Sequence, residues 1–332
     1  MNWPSTIDQS LSRAKSREPS TGVLLLAHGS PDTPDEVPEF LCNIAGRPLP
    51  PQVVAEVKRR YRLIGHSPLT EITLKQADGV QRELERVRPR TRVYVGMRNW
   101  KPFVADVVRQ MSADGISHAV VICLAPQNSR TSVGLYRRAL GEPPFAIDFV
   151  ENWHDHPLLI RAFAEKLQAG WKRAGDEMGA RVPIIFTAHS VPTRTIEAGD
   201  PYEQQAQETA EMVAMEVPSL HGDDWAFAFQ SQGMSGGAWL GPTVEDTILA
   251  LQAKGHRGVF LQPIGFVCDH VEVLYDIDIG FRQFAAKQGM RLWRAESLND
   301  SPTFLAAIAD VARSRLEQPG EPKPQIVNIK GM

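Results

Sequence analysis

Leu25-Leu26-Ala27-His28-Gly29-Ser30-Pro31 is echoed in the second half of the chain by Phe186-Thr187-Ala188-His189-Ser190-Val191-Pro192. In both, a short apolar run emerges at a histidine and is stopped by small residues and a proline. The run Val23–Ala27, set off by Gly22 and by the Gly-Ser-Pro break, has the pattern of a strand buried on both faces. Outward from it, helical patterns cover Pro51–Tyr61 and Thr70–Val87, Arg92–Gly96 reads as a strand, Pro102–Met111 as a helix and His118–Leu124 as a strand stopped by Ala125-Pro126. The second half repeats the scheme. Pro183–Thr187, Ala226–Phe229 and Gly258–Pro263 read as strands. Asp200-Pro201-Tyr202-Glu203 opens a helix with Asp at the N-cap, and Thr243-x-x-Asp246 caps another that ends at Gly255. A further helix begins near His270. Gly115…Pro126 and Gly255…Pro263 repeat one more pattern: glycine, apolar strand, terminating proline. Strands alternating with helices predict an α/β fold, and the internal echo predicts two similar domains, each a parallel sheet flanked by helices, with a cleft between them. The expected boundaries are a disordered N-terminus over 1–20, domains over 21–150 and 151–316, and a loose tail over 317–332.

The bulk composition narrows the function. The 332 residues are 42% apolar and 23% charged, with a formal net charge of −3, ordinary values for a globular protein with a sizeable core. No long basic run points to nucleic acid. Cys42, Cys123 and Cys268 are far apart and form no CxxC, so neither a disulfide framework nor a structural zinc site is expected, and the compartment reads as reducing. No apolar run is long enough for a transmembrane helix, and the first twenty residues lack the apolar segment of a signal peptide. The expected location is the cytoplasm. There is no Walker A loop and no Gly-rich dinucleotide fingerprint. Gly233-Met234-Ser235-Gly236-Gly237 matches the GxSxG of serine hydrolases, but a nucleophile elbow needs a helix immediately after the serine. Gly236, Gly237 and Pro242 spell a loop there.

In open α/β sheets, ligands bind outside the carboxyl ends of strands, where His28 and His189 both sit. A lone histidine is more often packing or surface than chemistry; position raises the expectation for these two. Asp269-His270-Val271-Glu272-Val273-Leu274-Tyr275-Asp276 follows the strand Gly258–Pro263. On an α-helix, Glu272 and Asp276 would share one face, a pair suited to a cation path or, more blandly, to a solvated surface. His270 would point elsewhere.

These motifs resemble the ferrochelatase family. The resemblance is carried by Ile184–Pro192 with Glu197-Ala198-Gly199-Asp200-Pro201-Tyr202, by Tyr61-Arg62-Leu63-Ile64-Gly65-His66-Ser67-Pro68-Leu69, by Phe229-Gln230-Ser231 with Trp239-Leu240-Gly241-Pro242, and by Gly265–Asp276. The segments occur in family order over about residues 22–315. The resemblance implies two Rossmann-like (chelatase-type) domains around a porphyrin cleft, with ferrous iron as substrate and no tightly bound cofactor. It implies that His189 is the metal ligand and pyrrole proton acceptor, and that Glu272 is its opposing carboxylate, for iron binding or proton passage. His28 stands where relatives carry Tyr or Met; as imidazole it is a candidate axial ligand to the product iron. Asp276 is a candidate outer cation site, although the acid that relatives can carry one turn later is Gly280 here. Arg60, Tyr61, Ser67 and Tyr136 match positions that contact the porphyrin, with Arg47 a further candidate; Met97 and Trp100 touch the macrocycle or pack in the core. The segment before Tyr61 is short and the C-terminal cysteines of iron–sulfur relatives are absent. This resembles the compact bacterial branch that converts coproporphyrin III to coprohaem, expected here as a monomer with a haem acceptor protein as candidate partner. The alternatives are protoporphyrin IX as substrate, haem binding without turnover, and a cobalt or nickel chelatase.

Overall fold

The computed structural model describes residues 20–232 and 236–317. The candidate hydrolase Ser235, the expected disordered segment before residue 20 and the tail beyond Glu317 lie outside the described residues. The first half runs β1 (Ser20–Ala27), α1 (Val37–Ala45), α2 (Pro51–Ile64), α3 (Leu69–Glu85), β2 (Thr91–Met97), α4 (Val104–Ala113), β3 (Ile116–Cys123), α5 (Val133–Leu140) and β4 (Ala146–Val150). The second runs α6 (Pro157–Met178), β5 (Ile184–His189), α7 (Thr193–Glu197), α8 (Tyr202–Met215), β6 (Trp225–Gln230), α9 (Val244–Ala253), β7 (Gly258–Pro263), a π-helix (Glu272–Phe281), α10 (Arg282–Lys287), β8 (Arg291–Arg294) and α11 (Pro302–Glu317). Each half holds a four-stranded sheet. The orders β2-β1-β3-β4 and β6-β5-β7-β8 are the same topology, and every pairing between named strands is parallel. The echo in sequence is therefore an echo in structure, with β1 matching β5 and β3 matching β7.

The strands are buried on both faces, as continuous apolar runs require. Leu24 and Leu26 of β1 face an outer core with Val104, Val107 and Met111 of α4. Ile185 of β5 faces a corresponding outer core with Ile248 and Val273. The alternate residues, Val23 and Leu25 of β1 and Ile184 and Phe186 of β5, belong to one inner core that runs through both halves. The two units thus share a core. Its bridge is α11, which packs against α3 of the first half and α6 of the second. Phe304 of α11 stacks on Trp153 with ring centroids 5.9 Å apart.

Two local readings change. The helix at Asp200 begins one residue later, at Tyr202, with Pro201 in the cap position. Asp200 still accepts the Tyr202 N–H at 3.1 Å, but its other oxygen accepts from Arg130 N at 2.8 Å and from Ser129 Oγ at 3.2 Å. That buried carboxylate ties a loop of the first half to α8. The helix near His270 is a π-helix from Glu272, with i→i+5 bonding that no α-periodicity anticipates.

The sharp exit from β1 depends on Gly29. Its φ is +83°, and a Cβ there would come within 2.8 Å of the Trp100 backbone nitrogen. Both the left-handed conformation and the contact exclude a side chain. Gly29→Ala should lower the unfolding free energy by about 1–3 kcal/mol in urea titrations; an unchanged midpoint would contradict this account of the turn.

Candidate active site

The carboxyl ends of the central strands β1, β3, β5 and β7 open onto one cavity of about 580 Å³ between the halves, well inside the size range of small-molecule sites. Ala27–Ser30, Leu124, Ala125, Gln127, His189–Pro192 and the segment from Gly265 to Glu272, except Asp269, reach its wall from these ends. Aromatic and apolar walls come from Phe40, Tyr61, Tyr136, Tyr202, Trp239 and Phe266.

His189 is the last residue of β5 and is fixed from several sides. Its Nδ1 lies 2.6 Å from the Ser190 carbonyl oxygen. A carbonyl only accepts, so Nδ1 carries a proton, and Nε2 is the ring nitrogen left to face Glu272. The His189 carbonyl accepts the Tyr202 hydroxyl at 2.9 Å; Ser190 N donates to Gln230 O at 2.7 Å and Ser190 Oγ to Leu240 O at 2.9 Å. The chain leaving β7 passes close by. A Cβ on Gly265 would sit 3.1 Å from the Ala188 Cβ and 3.3 Å from its Cα, so glycine there permits the approach that brings Glu272 to His189.

His189 Nε2 and Glu272 Oε2 face each other at 3.3 Å, and that carboxylate oxygen is buried without a hydrogen bond. Burial alone would raise the Glu272 pKa, but His189, His270, His28 and Arg60 together outweigh it, and the carboxyl stays below its ordinary value. The site therefore holds an ionised carboxylate against an imidazole. Two Lewis bases this close are complementary to something positive between them, a proton or a cation, and imidazole with carboxylate suits ferrous iron.

The structure brings five of the residues singled out in the sequence to the cavity wall: His28, Tyr61, Tyr136, His189 and Glu272. The other four are elsewhere. Arg47 is exposed, three residues beyond the wall residue Ile44. Arg60 is bound to Glu56 at 3.0 Å, lies 4.8 Å over the Tyr275 ring and 3.6 Å from Asp276. Ser67 is buried behind the wall. Asp276 accepts from Ser231 Oγ at 2.6 Å, and its pKa is raised, chiefly by burial. Met97 and Trp100 are core residues, 0% and 3% exposed. Tyr61 gives its hydroxyl to a 2.8 Å hydrogen bond with Ser30.

His28 lines the cavity from the end of β1. Nδ1 lies 3.0 Å from Gly29 O and Nε2 lies 3.0 Å from the Asn99 carboxamide, so both ring nitrogens already have protein partners. Among the described residues no three of His, Cys, Asp and Glu converge to hold a metal. Arg98 was missed in the sequence, although it follows β2 at the same strand-end position that drew attention to His28. It lines the cavity 5.5 Å over the Tyr136 ring, and burial lowers its pKa. Ser129, Thr131 and Ser132 add hydroxyls to the wall, and His270, read as pointing elsewhere, lines it too.

Burial, and secondarily Arg98, push the His28 pKa from 6.5 down to about 4. The unfolded chain therefore binds the proton that folded His28 refuses, and the stability contributed by neutral His28 falls as pH drops from about 6.5 towards 4. Wild type should lose urea stability faster than His28→Met across that window. Parallel profiles would contradict a buried neutral imidazole.

Comparison with known proteins agrees with this geometry. A family model described as Ferrochelatase matches residues 20–316. A ferrochelatase of Acidobacterium capsulatum is 53% identical over 319 residues, covering 91% of this chain and 96% of that protein. A coproporphyrin III ferrochelatase of a Geobacillus species is 36% identical over 308 residues, covering 89% of this chain and 98% of its own length. Among solved structures, SirB from Bacillus subtilis with Fe3+ superposes with a TM-score of 0.54 at 11% identity, over 90% of this chain and 98% of that one, a likeness of fold. With its strand-end imidazole and carboxylate facing one cleft, the chain belongs to the ferrochelatase family, the chelatases that insert iron into porphyrin in haem biosynthesis.

Proposed function

We propose that this ferrochelatase acts on coproporphyrin III, giving coprohaem and releasing two protons, and that His189 and Glu272 carry the chemistry. The observation behind the site assignment is the unpaired Glu272 oxygen 3.3 Å from His189 Nε2 on the cavity wall. Metallation requires a base for the pyrrole N–H protons and a route by which ferrous iron sheds water. The His189 lone pair, oriented through Nδ1–H on the Ser190 carbonyl, takes the proton as a pyrrole nitrogen turns towards iron. The Glu272 carboxylate offsets the positive charge that passes, whether iron or proton. A pair, rather than a full cage, suits a metal that must be handed on, because the macrocycle supplies the remaining ligands. Arg98 and the hydroxyls of Ser129, Thr131 and Ser132 supply donors for substrate carboxylates at the cavity wall. His28 serves in this reading as a hydrogen-bonded part of the wall.

The coproporphyrin choice draws on relatives of about 35% identity called coproporphyrin III ferrochelatase. Protoporphyrin IX is the second reading, since the 53% identical relative is called simply ferrochelatase. In the favoured reading the enzyme works as a cytoplasmic monomer without a resident cofactor and passes its product to a haem acceptor protein.

Anaerobic insertion of ferrous iron tests this directly, comparing both porphyrins in wild type and His189→Ala. Coproporphyrin III should be metallated with the higher kcat/KM, and the variant should lose roughly 10²–10⁴-fold. Preference for protoporphyrin IX would overturn the substrate, and full activity in the variant would overturn the role of His189.

A further inference from the structure

One guanidinium grips the chain on both sides of Glu272. Arg294 ends β8, and its side chain is 12% exposed. Nε and Nη2 donate to the two carboxylate oxygens of Asp278, each at 2.8 Å. This is the planar fork that lysine cannot reproduce. Nη2 also donates to Asp269 Oδ1 at 3.1 Å, and Nη1 donates to the Ala295 carbonyl at 2.9 Å. Asp269 lies just before the π-helix and Asp278 lies inside it, so the brace spans Glu272, the first residue of that helix.

Asp269 is held in turn. Ser297 Oγ donates to it at 2.8 Å and Asn299 Nδ2 at 3.0 Å, while its own N–H donates to Asn299 Oδ1 at 2.9 Å. Arg282 approaches Asp278 Oδ1 at 3.6 Å and is 55% exposed, too far and too open to replace the fork. The whole network is anchored on β8, which pairs with β7.

π-Helices are rare and usually no longer than one turn; this one runs for ten residues. An α-helix over the same residues would wind more tightly. It would carry Asp278 around and along the axis relative to Asp269, and one guanidinium could no longer reach both. The brace therefore selects the π-helical register, and that register sets where Glu272 points. We propose that Arg294 is a positioning residue that locks this register and so aims the Glu272 carboxylate at His189. It does not line the cavity. The inference rests on the assignment of Glu272 to the path of iron or protons.

The test is steady-state metallation under anaerobic conditions, with the KM values for ferrous iron and porphyrin measured separately. Arg294→Lys keeps the charge and loses the fork; Asp278→Asn keeps the shape and loses the charge. For each variant kcat/KM for ferrous iron should fall roughly 10- to 100-fold, while the KM for porphyrin stays at the wild-type value. The double variant should be no worse than the more damaged single, because both break one brace. Circular dichroism and the urea midpoint identify the folded variants. If Arg294→Lys fails to fold, Asp278→Asn carries the test. A folded variant with wild-type iron kinetics would overturn the brace alone, and so would equal rises in both KM values, which describe general loosening. A wild type that metallates no porphyrin would overturn the function and the brace together.

Discussion

His189 Nε2 and Glu272 Oε2 face each other at 3.3 Å, and that carboxylate oxygen is buried without a hydrogen bond among the described residues. Folding keeps an imidazole and a carboxylate in this geometry only where the surrounding structure insists. Here the insistence comes from every direction. The His189 imidazole is held through Nδ1 and its carbonyl is held by Tyr202. Gly265 lets the chain from β7 pass within contact distance of Ala188, and a ten-residue π-helix begins at Glu272 itself. An imidazole and a carboxylate held this way by a rigid frame are complementary to a passing cation, which is the requirement of a metal chelatase.

The duplicated frame was used asymmetrically. β1 and β5 are equivalent strands, and each delivers a histidine to the same cavity. The chain beyond β2 then supplies Asn99 to bond His28 Nε2, and Arg98 supplies a fixed positive charge beside it, which with burial keeps His28 neutral. His189 Nε2 instead faces the Glu272 carboxylate at 3.3 Å. In the proposed reading, one imidazole is part of a wall that can face substrate carboxylates and the other is the base. The inner core shared by both sheets, bridged by α11, holds the two walls in fixed relation.

Much of this was legible in the sequence, for a physical reason. Strands buried on both faces appear as unbroken apolar runs, and the residues that follow them emerge where α/β sheets bind ligands. That logic located β1, β3, β5 and β7, His28, His189 and the approach of Glu272. Applied to the end of β2 it would also have found Arg98. What escaped was non-local. Periodicity cannot distinguish a π-helix from an α-helix when the register is chosen by Arg294, an arginine after the next helix. Motif matching gave Arg60 as a porphyrin contact, and it could not show the contacts with Glu56, Tyr275 and Asp276 that the fold gives it. The N-cap at Asp200 was half right, because the first half of the chain claims its second oxygen.

The central claim is that His189 and Glu272 act as one unit. It is tested most directly by single-turnover metallation of bound porphyrin in His189→Ala, Glu272→Gln and the double variant. The account predicts that each single change slows the step severely and that the double change is little worse than either, since the contact is lost once. Losses that multiply in the double variant would show two independent groups and contradict it.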